Sequence, residues 1–227
     1  MSSEVRCRFC GAVLTQTFAD LGQTPLANSY LSEEDLIGDE PIYPLHARVC
    51  SECFLVQLPA VTTREEIFED YAYYSSYSSS WLDHSRRLAD AAIERFVLTA
   101  DSLVVEVASN DGYLLRYFQE AGVPVLGIEP ARNVAQDAIA GGIPTEPRFF
   151  GSGFATELVD RGVRADLLIG INVLAHVPDI NDFVAGLAAL LEPTGTIATD
   201  GIRENNVRAT FPVSELPRHV AGDPEQP

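Results

Sequence analysis

The stretch Leu103–Asn133, LVVEVASNDGYLLRYFQEAGVPVLGIEPARN, decides the fold of this chain. An apolar run closing on Glu106 meets a small polar turn, Ala108-Ser109-Asn110-Asp111-Gly112. A helical pattern follows, and a second apolar run ends at Gly127-Ile128-Glu129-Pro130. Read as strand, turn, helix and strand, this is a parallel β-α-β unit with a carboxylate at the tip of its second strand. In open parallel sheets ligands settle where strand C-termini face helix N-termini, and an acid about 20 residues past the turn suits ribose hydroxyls. The unit is expected to hold a nucleoside.

The turn decides which one. A dinucleotide diphosphate needs the pattern G-x-G-x-x-G so that the backbone can approach the phosphates, and here Gly112 is the one glycine. S-adenosylmethionine (SAM) carries an amine, a carboxylate and a sulfonium but no phosphate, so Glu106, Asn110 and Asp111 are tolerable beside it. The turn favours SAM over NAD, and a nucleotide-free α/β domain is the remaining alternative.

Downstream the alternation continues. Arg132 to Ala140 reads as a helix closed by Gly141-Gly142, Ile143 to Phe150 as a third strand, and Gly153 to Arg161 as another helix. Asp166 to Asn172 is a nearly continuous apolar run, as expected of a strand buried on both faces. Parallel strands would bring Asn172 and His176 to the sheet edge that carries Asp111 and Glu129. Both are cleft candidates, and a structural role for His176 stays open. Ile180 to Leu191 reads as a helix, Pro193-Thr194-Gly195 as a turn, and Thr196 to Asp200 as a last strand. Residues 201–227 carry four prolines and little periodicity, which suggests a poorly ordered tail with a brief strand near Val207 to Val213.

Upstream, all four cysteines fall in two C-x-x-C pairs, Cys7/Cys10 and Cys50/Cys53. Thiolates at that spacing put two sulfurs on each knuckle, and two knuckles complete a closed tetrahedral zinc site that serves structure rather than chemistry; a redox dithiol is the alternative. Glycines and prolines between the knuckles leave room for short strands and turns. Thr63-Arg64-Glu65-Glu66 has the form of a capping box. Tyr71 to Trp81, YAYYSSYSSSW, holds four of the eight tyrosines and the single tryptophan. So many hydroxylated rings suit a cleft wall, rings packed and hydroxyls toward a ligand, or else a packed hinge. Ser79 to Leu98 repeats apolar residues at helical spacing.

The expected organisation is a zinc-binding module at 1–62, a Tyr-rich segment and linker helix at 63–100, a nucleoside-binding domain at 101–200 and a tail at 201–227. With 227 residues, 46% of them hydrophobic, the chain has material for a packed core. Its formal charge of −18 speaks against nucleic-acid binding, which needs a basic patch, and so against a zinc-ribbon nucleic-acid protein. The opening residues lack the layout of a signal peptide and no apolar run reaches membrane-spanning length, so a cytoplasmic protein without membrane contact is expected.

With these residues in hand, the chain resembles the bacterial C-methyltransferases that act on nucleotide-linked 4-keto-deoxysugars. The resemblance lies in the two C-x-x-C knuckles, YAYYSSYSSSW (71–81), VVEVASNDGYLL (104–115), VLGIEPARNVA (125–135) and GINVLAHVPDINDFVAGLAALLEPTG (170–195). It implies a Rossmann-like class I SAM-dependent methyltransferase domain behind a four-cysteine zinc module, with SAM and Zn2+ as cofactors and a nucleotide sugar as substrate. It also implies Glu106, Ala108, Asn110, Gly112, Glu129 and Asn172 as cofactor contacts and Tyr77 as a catalytic sugar-site tyrosine. The Tyr-His-Glu-His motif that carries the family's base has no counterpart: His219 lies in Leu216-Pro217-Arg218-His219-Val220. The expectation is therefore a truncated member without its base. Its sheet would lack the last two strands, leaving Thr196 to Asp200 at an exposed edge open to self-association or a partner chain. A non-catalytic SAM-binding or assembly module is the alternative.

Overall fold

The computed structural model describes residues 4–68, 71–199 and the backbone of 210–212. These fall into two compact units, the first within Met1–Tyr73 plus Pro178–Ile180 and the second within Tyr74–Val177 and Asn181–Pro227.

The first unit is a three-stranded antiparallel sheet in the order β1 (Gln16–Thr24), β2 (Tyr43–Val49), β3 (Val56–Gln57). The strands are longer than the glycines and prolines suggested, because register shifts after Thr17 and Asp20 absorb the irregularities. Helix α1 (Arg64–Phe68) follows the expected capping box: the Glu66 N–H donates to Thr63 Oγ1 at 3.2 Å and the Thr63 N–H to Glu66 Oε2 at 2.9 Å. The buried apolar cluster of this unit is small, comprising Cys7, Leu14 and Cys50.

The second unit opens with α2 (Ser79–Phe96), capped by Ser78, whose Oγ accepts from the Trp81 N–H at 3.3 Å. Then β4 (Val104–Val107), α3 (Leu115–Glu120), β5 (Val125–Ile128), α4 (Arg132–Ala140), β6 (Thr145–Glu146), α5 (Ser152–Asp160), β7 (Ala165–Gly170), α6 (Ile180–Leu190), β8 (Leu191–Thr199) and β9 (Thr210–Pro212) complete it. The sheet order is β6-β5-β4-β7-β8-β9, parallel except for β9. The chain winds outward from β4 through β5 and β6, then crosses to β7. That reversal is the point where doubly wound sheets open a crevice above their strand ends.

Pleating divides the core. Val104, Leu167 and Ile169 face a cluster with Ala89, Ala92, Leu115 and Phe118, while Val105, Val107 and Leu168 face one with Phe154, Leu158, Phe183 and Leu187. Helices α5 and α6 approach closely at Gly186, where a Cβ would stand 2.8 Å from the carbonyl carbon of Gly151. Backbone cannot give way as a side chain does, so Gly186→Ala should cost about 1–3 kcal/mol from overpacking, set against about 1 kcal/mol of helix propensity gained. A thermal melt should show the unit destabilised; an unchanged or raised midpoint would contradict this packing.

Three expectations need correcting. The third strand shrinks to Thr145–Glu146, because Pro144 and Pro147 flank it and lack N–H donors. Pro193-Thr194-Gly195 is no turn but the bulged start of β8: pairing jumps from Ala165↔Leu191 to Leu167↔Thr196. Thr196–Ala198 do not form an open edge, because β9 returns antiparallel with Ala198 opposite Thr210 and Thr196 opposite Pro212. Self-association through that edge loses its basis. The remaining tail residues, 201–209 and 213–227, including the rest of the expected strand at Val207 to Val213, and Asp200 at the strand end lie outside the described residues. Among the described residues no helix is long and apolar enough to cross a membrane.

Candidate functional site

The turn after β4 has the backbone of a glycine loop with few glycines in it. Ala108, Asn110 and Gly112 all take positive φ, at 59°, 51° and 74°. A left-handed residue other than glycine costs about 1–2 kcal/mol, and asparagine tolerates it best. Gly112 is also sterically required, since a Cβ there would stand 2.8 Å from Ile143 Cγ1. Such strain persists where the surroundings impose it, and here Glu129 does so. Its two carboxylate oxygens accept from the Asn110 and Ala131 N–H groups, each at 2.9 Å, tying the first β-α turn to the second. The Ile128 carbonyl accepts from the Ala108 and Ser109 N–H groups at 2.8 and 3.3 Å.

Three carboxylates are buried around this turn: Glu106 at 0%, Glu129 at 5% and Asp111 at 8% exposure. Among the described residues no arginine pairs with any of them; the ion pairs there include Arg6–Glu4, Arg64–Glu65, Arg86–Glu120, Arg148–Glu157 and Arg161–Glu146. Neither Glu106 oxygen has a hydrogen-bond partner, nor does Asp111 Oδ1. Burial pushes the Glu106 carboxyl well above the ordinary range; nearby Tyr113 opposes this without completing a hydrogen bond of normal geometry, and the charges of Glu129 and Asp111 add to the rise. Burial raises Glu129 as well, partly offset by the Ala131 and Asn110 amides. Tyr113 is itself pushed well up by burial and by Glu106. Uncompensated buried acids are costly. They suit a ligand that brings positive charge, as SAM does, and repel a diphosphate.

The other candidates sit around this centre. Asn172 follows β7 with φ 54°, and His176 ends the short 3-10 turn Leu174–His176; both are exposed. Because β4 and β7 are parallel neighbours, these residues share the sheet edge with Ala108–Gly112. Tyr77 ends the 3-10 turn Ser75–Tyr77 and is 94% exposed, so the expected packing of its ring is not found. The short turn faces the fold with its backbone instead. The Ser75 N–H donates to Asn110 Oδ1 at 2.8 Å and the Ser76 N–H to Asp111 Oδ2 at 3.3 Å. Those contacts, and Tyr113 beside Glu106, escaped the sequence reading; the Asn-Asp pair next to a strand end was the available signal.

In the first unit Cys7, Cys10, Cys50 and Cys53 bring their sulfurs within 4.8 Å of one another, the one such metal-capable cluster among the described residues. Two pairs stand 3.5 and 3.6 Å apart, close to the separation that tetrahedral Zn–S bonds of about 2.3 Å impose. The two knuckles repeat one geometry: Gly11 N–H to Cys7 O at 2.9 Å and Phe54 N–H to Cys50 O at 3.0 Å, with φ of 75° at Gly11 and 63° at Phe54. Gln57 Nε2 donates to Cys7 Sγ at 3.2 Å and its Oε1 accepts from the Arg8 N–H at 3.0 Å. Burial alone would raise the Cys7 thiol, but the N–H groups of Cys10 and Phe9 and the Gln57 amide bring it to about 6. The donor set fits zinc, with no ligand position left over for chemistry.

Comparison with known proteins agrees with both units. Residues 7–68 match a family of zinc binding domains, and residues 81–203 match a family described as methyltransferase domain. The chain is 39% identical over 189 residues to the C-methyltransferase NovU of Streptomyces niveus, covering 83% of this chain and 45% of that protein. It is 26% identical over 161 residues to the ubiquinone biosynthesis O-methyltransferase of Rhodopseudomonas palustris strain TIE-1, covering 60% and 62%. The chain thus spans less than two thirds of either relative. The SAM-bound magnesium protoporphyrin IX methyltransferase of Synechocystis PCC 6803 gives a TM-score of 0.39 at 18% identity, covering 60% of this chain and 66% of that one. Sheet order, carboxylate turn, thiolate cluster and family matches together place the chain among the SAM-dependent methyltransferases of class I fold, behind a zinc-binding module.

Proposed function

We propose that this chain forms the zinc and SAM-binding part of a C-methyltransferase acting on a nucleotide-linked 4-keto-deoxysugar. The observation that carries the cofactor half is the pair of buried carboxylates, Glu106 and Glu129, that have no cationic partner among the described residues. Glu129, held between two turns, presents its remaining lone pairs to ribose hydroxyls. Glu106 supplies negative charge for the cationic methionyl end, with Ala108, Asn110 and Gly112 shaping the turn and Asn172 and His176 lining the same edge. SAM, when bound, supplies an electrophilic methyl group on sulfonium. The substrate half draws on the identity with NovU and on the Tyr-rich segment, where Tyr77 offers its hydroxyl to the sugar.

The reaction needs a base for the proton beside the ketone. Tyr77 is 94% exposed, with nothing holding its hydroxyl against a reacting carbon. That observation favours a second reading, SAM binding without turnover, completed by a partner chain. Incubating the purified chain with SAM and a thymidine-diphosphate 4-keto sugar separates the two. A product heavier by one methylene supports the enzyme, whereas SAM binding without product supports the module.

A further inference from the structure

Asn110 is engaged through both backbone and side chain: its N–H donates to Glu129 Oε2 at 2.9 Å and its Oδ1 accepts from the Ser75 N–H at 2.8 Å, with Ser75 itself buried. Beside it, Asp111 Oδ2 accepts from the Ser76 N–H at 3.3 Å. Two adjacent side chains of the turn thus hold two adjacent amides 35 residues earlier in the chain. One residue further on is Tyr77, and the next, Ser78, caps α2. Trp81, in the first turn of α2, lies 6.1 Å from the Tyr113 ring immediately beyond the turn. Residues 75–81 therefore form a strap fastened to the turn at one end and to α2 at the other. Asparagine meets both demands at position 110, a left-handed backbone at φ 51° and a side-chain acceptor.

We infer that Asn110 and Asp111 are positioning residues, whose side chains fasten the Tyr77 strap to the turn rather than contact a ligand. This rests on the reading of the turn as the SAM site. The line Glu129–Asn110–Ser75 is a continuous hydrogen-bonded path from the acid assigned to the ribose to the segment bearing Tyr77. Ligand engaged at Glu129 stiffens Asn110 and, through it, the strap. Coupling of this kind is reciprocal, so a substrate seated on Tyr77 tightens the hold on SAM.

The test is amide hydrogen exchange by NMR on the full chain, free and with saturating SAM. In the wild type SAM should slow exchange at Ser75 and Ser76 as well as in the turn. Asn110→Gly keeps the backbone conformation and the N–H to Glu129 but deletes the acceptor. It should speed exchange at Ser75 about five- to tenfold, the scale of one lost hydrogen bond, and abolish the SAM effect there. Asn110→Asp, which keeps an acceptor, should restore both. Asp111→Ala provides the same test at Ser76 should the glycine variant fold poorly. Unchanged protection of Ser75 in Asn110→Gly and of Ser76 in Asp111→Ala, or SAM protection of the turn that never reaches the strap, overturns the inference and leaves SAM binding standing. Absence of any SAM effect, in the turn as well, overturns the cofactor reading with it.

Discussion

Chelating the metal, or replacing Cys50 with serine, is expected to unfold the first unit as a whole while the second stays folded. The first unit's buried apolar cluster is Cys7, Leu14 and Cys50, so two of its three members are themselves ligands. Its longest strand, β1, is mostly exposed. So little buried area cannot offset the chain entropy of ordering the module, at about 1–2 kcal/mol per residue. Structural zinc binds zinc-finger peptides with about 10–16 kcal/mol, which is ample to decide the balance. The second unit has two apolar clusters of its own, one on each sheet face, and no metal-capable cluster among the described residues. Resolved amide spectra with and without a strong chelator would separate the outcomes. Collapse of the signals from residues 4–57 with those of 104–190 retained is the expected result. Retention of both would mean that the thiolates are not the module's main support.

Replacing Glu106 with glutamine should move stability and binding in opposite directions. The sign of the pH effect follows from the raised folded pKa. An acid whose pKa rises on folding contributes stability that is complete below its unfolded value, about 4.3, and that is lost as pH climbs through the folded value. The ligand-free wild type should therefore lose stability relative to Glu106→Gln as pH rises above the unfolded value. Glutamine fills the same space without a charge to desolvate, so the variant should be the more stable at neutral pH, by about 1–3 kcal/mol, or roughly 2–4 °C per kcal/mol in a chain of this size. SAM affinity should fall about 10- to 100-fold, since a hydrogen bond to a charged group contributes about 1.5–3 kcal/mol. Melts across pH together with binding titrations check both halves. A variant that is less stable at neutral pH and binds SAM as well as the wild type would remove Glu106 from the site.

Much of this arrangement was legible in the residues. Strand, turn and helix around Leu103–Asn133 follow from apolar runs broken by small polar residues. Arg132–Ala140 ends where Gly141-Gly142 said it would, and the Thr63–Glu66 box caps its helix. The two C-x-x-C knuckles announced the thiolate cluster by spacing alone.

What escaped has physical reasons as well. The brief strand expected near Val207 to Val213 is met by β9 at Thr210–Pro212, but three residues are too few to show that it returns antiparallel onto β8. A Pro-x-Gly sequence serves a turn and a bulge equally well, and the pairing with Ala165 and Leu167 chose the bulge. Composition could not reveal that Ser75 and Ser76 present backbone to Asn110 and Asp111 while Tyr77 points to solvent, because that contact joins residues 35 apart. Likewise, Phe54 takes the left-handed position that Gly11 fills in the other knuckle, a demand that only the paired geometry exposes.

Buried acids at the head of a parallel sheet, Glu106 and Glu129 foremost, make a site for a cationic nucleoside. Isothermal calorimetry of the chain against SAM, its demethylated product and NAD tests this most directly. One site per chain is expected, shared competitively by SAM and its product and indifferent to NAD. Binding of NAD in preference to SAM, or no heat with SAM from a folded, zinc-loaded chain, would contradict it.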